Sequence, residues 1–79
     1  SGNGRPDILV RYPSVRGKAI IIEIKVSKTY QGLEEKCGEA LEQIEKQDYA
    51  AALRQEGYRD ILKYGVAFYR KECMVKKAE

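Results

Sequence analysis

The chain has 79 residues, 15 Lys+Arg against 12 Asp+Glu, no His and a formal charge of +3. That length allows one small domain or a piece of a larger one, and a hydrophobic share of 43% with 34% charged residues suits a globular fold better than a disordered tail. Without His, a Ser-His-Asp or Cys-His nucleophile and any His-bearing zinc site are excluded. No apolar run approaches the roughly 20 residues needed to cross a bilayer, and no signal peptide opens the chain. Ser1-Gly2-Asn3 reads as an opened loop or a cloning scar. Cys37 and Cys73 can form at most one disulfide; two buried, reduced thiols in a cytoplasmic protein are the expectation.

Asp7 to Tyr12 reads as a strand, introduced by Gly4-Arg5-Pro6 and closed by Pro13-Ser14. A turn at Arg16-Gly17 leads into Ala19 to Val26, the strongest strand signal, rich in β-branched residues. Its apolar lead suggests a central strand covered on both faces, and the short Pro13–Lys18 connection suggests an antiparallel hairpin. From Gly32 to Gln47 the period changes. Leu33, Cys37, Ala40, Leu41 and Ile44 recur at three and four residues, which predicts an amphipathic helix. Asp48 is placed to N-cap a second helical segment, Tyr49 to Gln55, with Gly57 as its stop. Strands at Tyr64–Arg70 and Cys73–Lys76 complete the order β-β-α-(α)-β-β.

Charge is uneven along the chain. Residues 33–56 carry seven acids against three bases, residues 1–32 two acids against six bases, and residues 57–79 three acids against six bases. The strands are therefore basic and the long helix acidic, which is compatible with nucleic acid as a partner and equally with ordinary solvated lysines. A domain of this size buries only about 60–65% of its unfolded surface. With no disulfide framework or evident metal staple, help from flanking sequence or a partner subunit is expected, a homodimer or other self-association among the possibilities.

Glu23 and Lys25 are the anomaly. They share one face of the most apolar strand, with Ile22, Ile24 and Val26 on the other. Charges there are costly unless paired or used. The plain reading is a structural ion pair. The functional one adds Asp7: if the hairpin sets it beside Glu23, two carboxylates about 4 Å apart repel by roughly 4 kcal/mol at an effective dielectric of 20. A divalent cation relieves that repulsion, and hard oxygen ligands favour Mg²⁺ or Mn²⁺.

Pro6-Asp7 followed by Glu23-Ile24-Lys25 resembles the signature of the PD-(D/E)XK nuclease superfamily. Gly4-Arg5-Pro6-Asp7-Ile8, Ala19 to Lys25, Ala40-Leu41-Glu42-Gln43-Ile44 and Tyr64-Gly65-Val66-Ala67-Phe68 are similar to a nuclease-like domain found C-terminal to a predicted AAA-type ATPase region in bacterial proteins. The resemblance implies an α/β fold with a mixed central β-sheet flanked by helix, a restriction-endonuclease-like core. It implies Mg²⁺ (or Mn²⁺) held by Asp7, Glu23 and the Ile24 backbone carbonyl, Lys25 positioning or deprotonating the attacking water, and Gln43 facing the site. It also implies phosphodiester hydrolysis in nucleic acid, DNA in the first place, with an ATPase domain in the full-length protein. The alternative is a non-catalytic nucleic-acid-binding or assembly module of the same fold. Tyr49 and Glu39 are weaker candidates, Glu39 reading as one of several solvated helix acids. The superfamily's usual N-terminal helix and strand are lacking before Pro6, leaving a further acidic ligand and one sheet edge unsupplied. The Lys63–Lys71 aromatic strand also invites an RNA-recognition reading, but such a module needs β-α-β-β-α-β order, which this chain lacks.

Overall fold

A computed structural model describes residues 4–79, so the reading of Ser1-Gly2-Asn3 lies outside the described residues. Strands β1 (Ile8–Arg11) and β2 (Lys18–Val26) are followed by helices α1 (Leu33–Lys46) and α2 (Ala50–Glu56), then strands β3 (Asp60–Tyr69) and β4 (Glu72–Lys77). The sheet is mixed, in the order β1-β2-β3-β4. β1 runs antiparallel to β2, β3 parallel to β2, and β4 antiparallel to β3. The first hairpin therefore forms as its short connection requires, with Gly17 N–H closing a turn onto the Ser14 carbonyl at 2.9 Å. The two helices supply the crossover that a parallel pair needs.

The helical stripe packs where its period places it: Leu33, Cys37, Ala40 and Ile44 are buried. With Ala50, Leu53, Tyr49 and Tyr58 they cover Ala19 and Ile21 of β2 and Ala67 of β3. α1 sits tightly on β3 because Gly65 has no side chain. A Cβ there would lie 2.3 Å from the Cys37 carbonyl oxygen. Gly57, at φ 112, turns the chain out of α2, its N–H bonding the Arg54 carbonyl.

Several expectations need correction. β2 is central but covered on one face only: its other face, with Ile20, Ile22, Ile24 and Val26, is half-buried to exposed, as are Ile8, Val10, Phe68 and Val75 beside it. Both helices lie on the opposite side, so an apolar run did not mean two covered faces. Asp48 does not cap α2. It adopts a left-handed backbone (φ 51), its carboxylate pairs with Arg54 at 3.0 Å, and Tyr49 occupies the N-cap position. β3 begins four residues earlier than its aromatic pattern suggests, because parallel pairing from Lys18↔Asp60 onward supplies backbone partners regardless of alternation. It ends at Tyr69, and Arg70 (φ 53) turns the chain into β4. Cys37 is buried but Cys73 is exposed, and both are free thiols.

Candidate active site

β1 and β2 bring Asp7 and Glu23 together. The Asp7 N–H donates to Glu23 Oε1 at 3.2 Å, and Asp7 Oδ2 accepts the Ile24 N–H at 2.8 Å. That bond holds the Asp7 carboxyl below its usual pKa; Lys25 adds a smaller attraction in the same direction. Asp7 is solvent-exposed, whereas Glu23 is only 1% exposed. The pleat aims Glu23 at the helices, in line with Ala19 and Ile21, so a carboxylate stands where an aliphatic residue would otherwise pack.

Helix α1 satisfies it. Gln43, one residue before the buried Ile44, reaches down over the strand. Its Nε2 donates to Glu23 Oε2 at 2.5 Å and to the Tyr49 hydroxyl at 3.2 Å. Its Oε1 accepts from Lys25 Nζ at 2.5 Å. An amide suits this bridge because one end donates to a carboxylate while the other accepts from an ammonium. Asp7, Glu23, Lys25 and Gln43 thus form one connected polar group, in which Asp7 is exposed, Lys25 and Gln43 are half-buried and Glu23 is buried.

Two contributors were under-read in the sequence. Tyr49, with its ring buried and its hydroxyl bonded to Gln43, belongs to this network. The signal was a lone tyrosine just past a helix end, which is commoner as core. Gly65 lies opposite Glu23 in the β2/β3 register and sets how closely α1 approaches it. Glu39 stays apart, paired with Lys36 at 3.1 Å.

The donor set fits a hard divalent cation. Asp7 and Glu23 are in contact through the Asp7 N–H, and the Ile24 carbonyl turns to the β1 side, because a strand residue's N–H and C=O point to the same side. Among the described residues, no group of three or more His, Cys, Asp or Glu gathers as a metal cage. An ion here would keep several waters or take substrate oxygens, as Mg²⁺ commonly does.

A mixed sheet with helices on one face, carrying an acidic pair and a lysine at the carboxyl end of its parallel strands, defines an α/β domain of the restriction-endonuclease-like class. Residues 1–78 match the family model of the PD-(D/E)XK nuclease superfamily, and the chain belongs to that superfamily. No curated protein and no solved structure gives a significant match. No helix among the described residues is long and apolar enough to cross a membrane.

Proposed function

We propose that this chain is a Mg²⁺-dependent nuclease domain hydrolysing phosphodiester bonds, with DNA as its substrate. The observation that carries the reading is the contact of Asp7 with Glu23 while Gln43 joins Glu23 to Lys25. Asp7, Glu23 and the Ile24 carbonyl would hold the cation. When bound, it would lower the pKa of a coordinated water and offset charge building on the phosphate. Lys25, half-buried and held by Gln43, would orient the attacking water and face the phosphate oxygens as their charge grows. Gln43 keeps Lys25 and Glu23 in fixed relation, and the activation of water by the cation is what would make a histidine unnecessary.

Mn²⁺ titration tests the metal site. Binding by the wild type that weakens in Asp7→Asn and Glu23→Gln supports it. Cleavage of single-stranded, duplex and branched DNA, with Lys25→Ala as the inactive control, tests the reaction. One observation favours a second reading, a non-catalytic module of the same fold. Glu23 is nearly fully buried and both its oxygens already accept hydrogen bonds. Under that reading Glu23→Gln shifts thermal stability alone and the titration shows no binding.

The open sheet face is consistent with self-association, or with completion by flanking sequence that includes an ATPase region. Sedimentation over a concentration series separates these, since a stable micromolar monomer excludes the homodimer. Free thiols and a nuclease role accord with a cytoplasmic setting.

A further inference from the structure

The β1/β2 ladder stops beside the site, its last pair being Ile8↔Ile22, with a bend at Asp7 and Pro6 just before it. The pairing Ile8↔Ile22, carried two residues further, sets position 6 opposite Ile24. The phase of the ladder is known at both ends. Tyr12 N–H bonds the Lys18 carbonyl at 3.0 Å, so even-numbered residues of β2 turn their amide groups toward β1. Ser27 N–H bonds the Phe68 carbonyl at 2.8 Å, so odd-numbered ones turn toward β3. Were the ladder to continue, Ile24 would face position 6 at a site where both residues exchange two backbone bonds. A proline has no N–H to give. The bond from position 6 to the Ile24 carbonyl cannot form, which leaves that pair at most one backbone bond; the Ile24 N–H goes instead to the Asp7 carboxylate at 2.8 Å.

We propose that Pro6 is a positioning residue: by withholding an N–H it keeps the Ile24 carbonyl clear for a divalent cation and leaves the Ile24 N–H to orient Asp7. This rests on the metal site proposed above, and goes beyond it in assigning work to a residue that is no ligand. Any residue with an N–H at position 6 lets the strand pair one step further. The two new backbone bonds then occupy the Ile24 carbonyl and displace Asp7. The consequence has an unusual signature, in which the ladder is extended while the site is lost.

The test is Pro6→Ala in the whole chain, read three ways. Hydrogen exchange should show a new protected amide at position 6, with Ile24 still protected. The melting temperature should be unchanged or higher. Mn²⁺ affinity should fall about tenfold or more, the scale seen when groups that orient ligands are removed. An N-methylated alanine at position 6, which again lacks the N–H, should restore the affinity. An unprotected amide at position 6 of the variant, or full Mn²⁺ affinity despite a protected one, overturns the proposal. If the wild type binds no Mn²⁺, the metal reading fails by itself, while protection of the new amide still decides whether Pro6 stops the ladder. Should Pro6→Ala fold poorly, Pro6→Gly supplies the same N–H, and loss of folding in both variants would overturn the idea that pairing simply extends.

Discussion

Gly65→Ala is the sharpest perturbation the packing offers. The added Cβ would stand 2.3 Å from the Cys37 carbonyl oxygen, about 1.1 Å inside the 3.4 Å of ordinary contact, and 3.1 Å from both the Ala40 Cβ and the Leu41 Cγ. The obstacle is helix backbone, which no rotamer change can move, so α1 must lift from the sheet by roughly that distance. Overpacking of this kind costs about 1–3 kcal/mol. For a two-state domain of 60–100 residues each kcal/mol shifts the melting temperature by about 4–8 °C, so about 2 kcal/mol lowers it by roughly 8–16 °C. The lift also reaches the site, because Gln43 rides on the same helix. A bond of 2.5 Å to Glu23, stretched by about 1 Å, leaves the hydrogen-bonding range. Circular-dichroism melting reads the stability, and the NMR shifts of the Gln43 side-chain amide read the displacement. A melt within about 2 °C of wild type, with the Gln43 resonances unmoved, would show that α1 is not held against β3 at Gly65.

Gly38→Ala is the converse. Gly38 lies within α1 with nothing within 4 Å of a built Cβ, so the substitution should stabilise by about 0.5–1 kcal/mol and raise the melting temperature; a fall would contradict the open space seen there. Asp7 gives a pH dependence. Its folded pKa is depressed, chiefly by the Ile24 N–H, so its contribution is complete above the ordinary carboxylate pKa of about 3.9 and is lost as pH falls through the lower folded value. Melting temperature followed down through that window should drop more steeply for wild type than for Asp7→Asn, and parallel curves would remove the claim. The thiols should differ in reactivity. Cys73 is exposed, while Cys37 is buried, its thiol pushed up by burial and bonded to the Met74 carbonyl at 3.3 Å. A thiol reagent should modify one cysteine per native chain rapidly and the second only after denaturation; two fast reactions would refute the burial of Cys37.

Much of the architecture was legible because it follows from local rules. The period of Leu33, Cys37, Ala40 and Ile44 specifies a helix face, the β-branched run to Val26 specifies a strand, and Gly57 specifies a stop. Alternation alone places Glu23 and Lys25 on one face, and the short connection to β1 brings Asp7 alongside. The early start of β3 was decided by a non-local partner, its pairing with β2. The left-handed turn at Asp48 is local, at the junction of α1 and α2, where two helices meet with no side-chain cap between them.

From its order of residues alone, this chain determines its strands, its long helix, and the placing of Glu23 and Lys25 on one strand face with Asp7 on the neighbouring strand, since periodicity and short connections act within a few residues. Only the tertiary structure decided which sheet face the helices cover, how near Gly65 lets α1 approach, and that Gln43 bonds Glu23 and Tyr49 at once. Those depend on contacts between segments some 20 or more residues apart, such as Glu23 with Gln43 and Gly65 with Cys37, and packing of that kind leaves no repeat in the sequence to read.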